Sequence, residues 1–152
     1  MSSAPVALVG SGEYLPIMTE IERALIAGRA PRYVQLATAA APEGDDSLAR
    51  WHRLGREQAD RLGVEQVVVD VRTREDAESQ QWADAITGAG LIYLSGGNPA
   101  FLAETLRGTA VWHAIVAEHE RGAALAGCSA GAMALSDWAP RMRDLVPPNQ
   151  PT

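Results

Sequence analysis

The chain has 152 residues, 47% of them hydrophobic and 21% charged, a length that suits one compact domain burying roughly 68–70% of its unfolded surface. The formal net charge is −6 and neither sign forms a long run, which argues against partners such as nucleic acid or anionic membranes. The N-terminal residues lack the basic start of a secretory signal, and the uncharged stretch 122–135 is shorter than the ~20 residues that span a bilayer. The single cysteine, Cys128, can form no internal disulfide. We therefore expect a soluble, cytoplasmic protein.

Short apolar or β-branched runs alternate with longer amphipathic stretches, a pattern typical of βα units that build a mainly parallel sheet. The predicted strands, in chain order, are Val6–Val9, 33–37, 64–71, Leu91–Leu94 and 123–126. The third of these contains the densest β-branched run of the chain, at residues 67–69. We therefore expect the third strand to lie in the centre of the sheet.

Apolar residues at helical spacing predict helices between these strands. After the first strand the apolar positions are Ile17, Ile21, Ala24 and Leu25, and the helix should end at Gly28. Further helices are predicted at about 48–62, 76–86, 101–106, 111–120 and 132–135. The pattern dissolves after residue 138. We therefore expect one α/β domain over residues 1–146 and a proline-rich tail over residues 147–152.

A serine lies in a turn between the last predicted strand and helix. Residues 127–131, G-C-S-A-G, fit the pattern G-x-S-x-G. In such a turn the nucleophile has a strained backbone that tolerates only small residues two positions away, a demand that Gly127 and Gly131 meet. A nucleophilic Cys128 would have alanines at those positions, which fit less well. We therefore predict Ser129 as a nucleophile, against the alternative that the glycines serve turn chemistry alone.

The same turn directs the backbone N–H of Ala130 at the space above Ser129, where a tetrahedral oxyanion would form. A second donor is expected from the Gly96-Gly97 loop, because no β-carbon there hinders close approach of the backbone. The loops after strands one, four and five all lie at the carboxyl edge of a parallel sheet, where ligands of open α/β sheets bind.

Two polar residues, Glu13 and Asn98, project from these loops. Each is a candidate for holding an amide or amino group of a substrate, and turn or capping roles are the alternative. No cluster of Cys, His, Asp and Glu has the spacing of metal ligands, so no metal is expected.

Two segments carry a resemblance to a known family: residues 93–102, YLSGGNPAFL, and residues 127–132, GCSAGA. They resemble peptidase family S51, which contains aspartyl dipeptidase (dipeptidase E) and cyanophycinase and shares the fold of class I glutamine amidotransferases. The resemblance implies a flavodoxin-like, three-layer α/β/α domain with a mainly parallel sheet. It also implies that Ser129 is the nucleophile and that the N–H groups of Gly97 and Ala130 form the oxyanion hole. The implied substrates are small peptides or isopeptides that contain aspartate, with no metal or organic cofactor.

The resemblance further implies an acid and a histidine that follow the serine. Asp144, or as a second choice Asp137, is the candidate acid, but the histidines at positions 52, 113 and 119 all precede Ser129. We expect these three histidines to be packing or surface residues. One interpretation is a serine peptidase that is C-terminally truncated here and therefore inactive as this chain. The other is a non-catalytic binding or scaffolding domain that keeps the turn as part of its architecture.

Truncation has a mechanical consequence. The family fold continues beyond the end of this sequence, so its absence should leave apolar sheet surface uncovered. We therefore expect a homo-oligomer, or partial disorder near the C-terminus.

Overall fold

Five strands form one parallel sheet in the computed structural model, which describes residues 4–10 and 12–135. Across the sheet the order is β1-β5-β4-β2-β3, and every neighbouring pair is parallel. The strands are β1 (Val6–Val9), β2 (Arg32–Leu36), β3 (Glu65–Val68), β4 (Leu91–Leu94) and β5 (Ala124–Cys128). All five carboxyl ends therefore lie at one edge of the sheet, and β5 lies between β1 and β4.

Seven α-helices and two 3₁₀ helices connect and extend the strands within the described ranges. The α-helices are α1 (Thr19–Ile26), α2 (Asp45–Leu62), α3 (Arg74–Ala77), α4 (Gln80–Ile86), α5 (Pro99–Leu106), α6 (Ala110–Glu120) and α7 (Ala130–Leu135). The 3₁₀ helices are Pro16–Met18 and Thr38–Glu43. Among the described helices, none combines the length and apolar character that crossing a membrane requires. The expected α/β fold with a parallel sheet is confirmed.

Side chains alternate between the two faces of the sheet, as successive residues of a strand must. The aliphatic face is formed by Val34, Leu36, Ile92, Leu94 and Leu125 and packs against α3 to α6. The tyrosine face carries Tyr33, Gln35, Leu91, Tyr93, Ala124, Ala126 and Cys128 and packs against α1 and α2. Helices cover both faces at β2, β4 and β5, which gives the three-layer arrangement, whereas Val6 and Leu8 of the edge strand β1 are 50% and 59% exposed.

The third strand is an edge strand, so the expectation of a central position is wrong. β3 pairs only with β2, and Glu65 at its start is exposed. The central positions belong to β4 and β5, in which every residue is buried. A β-branched run raises the propensity for a strand but does not determine its neighbours, and here Val69 and Val71 are buried beyond the strand's end.

The segment predicted as one helix over 76–86 is two helices. Thr73 and Asp76 form a capping box, because the Thr73 hydroxyl accepts from the Asp76 N–H (3.1 Å) and the Asp76 carboxylate accepts from the Thr73 N–H (3.2 Å). This box caps α3, which begins at Arg74. Ser79 has an extended backbone and precedes α4, which begins at Gln80.

The first helix buries a different face from the one expected. Ile17 is 80% exposed and Ile21 is 50% exposed, whereas Glu22 is only 1% exposed. Two hydrogen bonds explain the rotation: the Tyr33 hydroxyl and the Gln58 side-chain amide both donate to the Glu22 carboxylate. The helix therefore buries a hydrogen-bonded Glu22 in place of Ile17 and Ile21.

Candidate active site

Ser129 lies at the end of β5, where the chain leaves the sheet and enters α7. Its N–H continues the ladder by donating to the Val9 carbonyl oxygen (2.8 Å), one residue beyond the pairing of Cys128 with Val9. The φ of Ser129 is +53°, a conformation that costs a non-glycine residue about 1–3 kcal/mol. The residue is half-buried, so its side chain is not sealed beneath the following helix.

The two glycines around Ser129 allow the backbone to pack very closely. A β-carbon on Gly127 would lie 2.5 Å from the carbonyl carbon of Gly131, and one on Gly131 would lie 2.0 Å from the carbonyl oxygen of Leu94. Real β-carbons do not make such contacts with backbone atoms. The space therefore requires glycine at both positions, as the G-x-S-x-G pattern predicts.

The loops after β1 and β4 meet over the end of β5, which lies between these two strands. The Tyr14 hydroxyl is hydrogen-bonded to the Ser95 hydroxyl, and the Gly96 N–H donates to the Glu13 carboxylate (2.9 Å). Tyr14 has a φ of +61°, and within the described ranges it and Ser129 are the two non-glycine residues with positive φ. Both strained residues therefore lie at the same place, the edge where the loops converge.

The glycine loop after β4 approaches the serine turn. A β-carbon on Gly96 would lie 3.3 Å from the β-carbon of Ser129. Gly97 is exposed and has a φ of +149°, and a β-carbon there would lie 2.3 Å from the Ala39 carbonyl oxygen. No described residue accepts a hydrogen bond from the Gly97 N–H, so this donor is available at the edge where Ser129 lies.

Glu13 brings a carboxyl group beside the serine turn, since a β-carbon on Gly96 would lie 3.1 Å from its Oε1 atom and 3.3 Å from the Ser129 β-carbon. Burial raises the pKa of Glu13, and the Cys128 thiol, the Gly96 N–H and the Arg50 charge partly oppose the increase. Arg50 itself lies over the Trp51 ring, 4.8 Å from the ring centroid. The site therefore holds one partly buried carboxyl group with a cation in its vicinity.

Cys128, the alternative nucleophile, is poorly suited to attack. The residue is fully buried, and burial, followed by the effect of the Glu13 carboxylate, raises the pKa of its thiol to about 12. A cysteine nucleophile needs a thiolate and access to solvent. Cys128 has neither, which favours the serine.

Asn98 lies at the start of α5 and caps it, since its side-chain oxygen accepts from the Phe101 N–H (3.0 Å). Its own N–H donates to the Ala39 carbonyl oxygen (2.9 Å). The side chain is half-exposed and its amide nitrogen bonds no described residue. Asn98 therefore holds the glycine loop in place and leaves one polar group at the edge.

The three histidines lie away from the serine turn. The Nδ1 atom of His119 lies 2.8 Å from the Ala123 carbonyl oxygen, at the opposite end of β5 from Ser129. His113 is exposed on α6 beside α4, and His52 lies near Gln66 at the β3 edge of the sheet. Burial lowers the pKa of His52. The candidate acids Asp144 and Asp137, and the tail 147–152, lie outside the described residues.

Four residues of the site were not singled out from the sequence: Tyr14, Ser95, Tyr93 and Arg50. The buried Tyr93 hydroxyl has no hydrogen-bond partner among the described residues, and the centroids of the Tyr14 and Tyr93 rings are 5.0 Å apart. These contacts join residues from separate loops, and no local pattern signals them.

The described residues contain no group of three or more His, Cys, Asp or Glu that could hold a metal ion.

Ser129 is half-buried, has a positive φ and lies at the carboxyl edge of a parallel sheet, with a required glycine two residues before it and two after it. The chain is therefore an α/β domain with a G-x-S-x-G turn. The sequence model of peptidase family S51 matches residues 7–144. The chain belongs to this family.

Two solved structures are similar to the chain. A peptidase from an acI-B1 Actinobacterium is 44% identical with a TM-score of 0.88, and the match covers 93% of this chain and 60% of that protein. A candidate peptidase E protein from Listeria monocytogenes EGD-e is 24% identical with a TM-score of 0.63, over 87% of this chain and 61% of that one. The second likeness concerns the fold alone. The chain thus spans about three fifths of the length of each structure, and a search among curated proteins finds no match.

Proposed function

We propose that the chain is the nucleophile-bearing part of a serine peptidase that acts on small aspartate-containing peptides or isopeptides. The observation that carries the proposal is the backbone of Ser129, which has a φ of +53° on a turn that has room only for glycine at positions 127 and 131. Strain of this kind persists only where the surrounding structure imposes it, and it clusters at active sites. Family membership and the name of the first similar structure, a peptidase that is 44% identical to this chain, support the same activity.

In the proposed reaction the Ser129 hydroxyl oxygen forms a bond to the carbonyl carbon of the scissile peptide. The carbonyl electron pair moves to its oxygen, which accepts hydrogen bonds from the N–H groups of Gly97 and Ala130. The electron pair then returns to re-form the carbonyl group as the C–N bond breaks, and the amine leaves with the proton that the base took from the Ser129 hydroxyl. Water then hydrolyses the acyl-enzyme. The substrate is further held by Asn98 and Glu13, which lie on the loops beside the turn.

The proton of the Ser129 hydroxyl needs a base. The described histidines are distant from the turn, and no histidine follows Ser129 in the sequence. We propose that a histidine in a further segment of the protein accepts the proton, with Asp144 as the acid that orients it, and that the 152-residue chain alone is inactive.

The experiment is active-site labelling with an alkyl fluorophosphonate, followed by peptide mapping, on this chain and on the product of the complete reading frame. We expect Ser129 of the longer protein to be labelled, and the label to be lost in Ser129→Ala. Ser79→Ala serves as the control, because Ser79 lies at the start of α4 and its side chain caps nothing. A longer protein that carries a downstream histidine and still takes no label would contradict the peptidase and favour a binding or scaffolding domain.

The substrate class is tested with paired dipeptides. Peptides that begin with aspartate should be cleaved by the longer protein, and matched peptides that begin with asparagine should be cleaved at least ~10-fold more slowly, because a site built for a charged group rejects its neutral analogue. Equal rates would remove aspartate from the proposal while leaving the serine peptidase intact.

A further inference from the structure

The carboxyl group of Glu13 joins the loops that follow β1 and β4 at the site. Its Oε2 atom accepts from the Gly96 N–H (2.9 Å), which ties the loop after β1 to the loop after β4. The Cys128 thiol, at the end of β5, lies near enough to the same carboxyl group to help raise the pKa of the thiol. The position of a Gly96 β-carbon would be 3.1 and 3.2 Å from the two Glu13 oxygens and 3.3 Å from the Ser129 β-carbon. The carboxyl group and the serine thus both lie beside Gly96.

This contact determines which of the two glycine N–H groups remains available. The Gly96 N–H is occupied by Glu13, whereas no described residue accepts from the Gly97 N–H. The peptide that follows Gly96 is also confined, because Gly97 packs against the Ala39 and Ala40 backbone and the Asn98 N–H is bonded to the Ala39 carbonyl oxygen. A loop fixed on both sides of Gly97 leaves little freedom for the direction of its N–H.

We infer that Glu13 is a positioning residue: by holding the Gly96 N–H, its carboxyl group fixes the direction in which the Gly97 N–H points at the oxyanion position beside Ser129. The inference rests on the proposed function and deepens it. Donors act in catalysis only when they are already oriented, and a displacement of about 1 Å costs on the order of 10²-fold in rate. Glu13 lies on a different loop from both donors and acts through the loop backbone.

The neighbouring contact keeps Glu13 in place. Tyr14, the next residue, is hydrogen-bonded through its hydroxyl to Ser95, and its carbonyl oxygen accepts from Arg61 (2.7 Å). The ring is buried between Tyr93 and Trp51, at centroid distances of 5.0 and 6.0 Å. The loop that carries Glu13 is therefore anchored independently of the carboxyl group. Replacement of Glu13 should leave the loop near its place and remove only the bond to Gly96.

The test compares Glu13→Ala, Glu13→Gln and the control Glu20→Ala, in which an exposed glutamate of α1 is removed. Hydrogen exchange of the Gly96 amide, followed by NMR on the 152-residue chain, should be about 10-fold faster in Glu13→Ala. Glu13→Gln retains a carbonyl oxygen for this bond and should stay within about 3-fold of wild type. Glu20→Ala should leave the exchange unchanged.

The second readout is the rate at which an alkyl fluorophosphonate reacts with Ser129 in the longer protein. The reagent carries no amino group for Glu13 to bind, so the rate reports the donor loop and not substrate contacts. Glu13→Ala should react about 10–100-fold more slowly, and Glu13→Gln should recover most of the loss. If the wild type reacts with the reagent and Glu13→Ala reacts at the same rate, the positioning role of Glu13 is overturned and the proposed peptidase is not. An unreactive wild type that carries a downstream histidine would overturn the proposed peptidase, whatever the exchange data give.

Discussion

The two faces of the sheet differ in chemistry. On the aliphatic face the sheet residues are Val, Leu and Ile, and they pack against apolar residues of α3 to α6 such as Leu102 and Ile115. On the tyrosine face, Gln35 donates to the Trp51 carbonyl oxygen (2.8 Å) and accepts from Gln66 (2.9 Å), while Tyr33 bonds the buried Glu22. Hydrophobic packing has no direction, whereas hydrogen bonds do. The aliphatic face therefore supplies stability, and the tyrosine face supplies orientation.

The polar character of the tyrosine face continues to the site. Tyr93 and Cys128 extend it to the carboxyl ends of β4 and β5, and Tyr14 reaches it from the loop after β1. Helix α2 packs closely against the same face, since a β-carbon on its residue Gly55 would lie 2.0 Å from the Gln35 side-chain oxygen. We infer that the network on this face holds the loops around Ser129 in one arrangement.

The largest effect is expected on the aliphatic face. Ile92→Ala should lower the free energy of unfolding by about 2–5 kcal/mol, because it leaves a cavity among fully buried side chains. Urea unfolding measures the change, and the loss should be equal at pH 5 and pH 8, since no ionisable group is removed. A loss that varies strongly with pH would show that the packing of the aliphatic face is coupled to ionisable groups on the tyrosine face.

A smaller effect is expected from Tyr33→Phe on the other face. The change removes a donor from the buried Glu22 carboxylate and should cost about 1–3 kcal/mol. Tyr93→Phe is the matched control, because the buried Tyr93 hydroxyl has no hydrogen-bond partner among the described residues, and its cost should stay within about 0.5 kcal/mol. Equal costs for the two variants would mean that ring packing, and not the hydrogen bond, explains the role of Tyr33.

The smallest effect is a pH dependence carried by Glu22. Burial raises the pKa of Glu22 above its ordinary value of 4.5, although Tyr33, Gln58 and Arg61 oppose the increase. Folding therefore favours the protonated form, and the contribution of Glu22 to stability declines as the pH rises from 4.5 through the raised pKa. The difference in unfolding free energy between wild type and Glu22→Gln should shrink over this interval and stay constant above it. Thermal unfolding at a series of pH values measures it, and a difference that grows with pH would reverse the assigned sign.

Local patterns were sufficient for the strands and for the serine turn. β1 and β4 have the bounds that the sequence predicts, and the G-x-S-x-G pattern locates the strained residue at Ser129. These features depend on alternation and on steric demands within a few residues, so they can be derived from the sequence.

Features that depend on partners distant in sequence were missed. The edge position of β3 depends on which strand it pairs with, and the burial of Glu22 depends on Tyr33 and Gln58. The bond from Gly96 to Glu13 joins residues 83 positions apart. The sequence supplies the candidate Glu13 but not its partner, because hydrogen bonds between loops follow from tertiary packing.

The most direct test of the account is a crystal structure of the longer protein with an alkyl phosphonate bound covalently. We expect the phosphorus to be bonded to the Ser129 Oγ and the phosphonyl oxygen to lie about 2.7–3.1 Å from the N–H groups of both Gly97 and Ala130. We also expect the Gly96 N–H still to bond Glu13. An adduct on another residue, or a phosphonyl oxygen directed away from the glycine loop, would contradict the assignment of this turn as the catalytic centre.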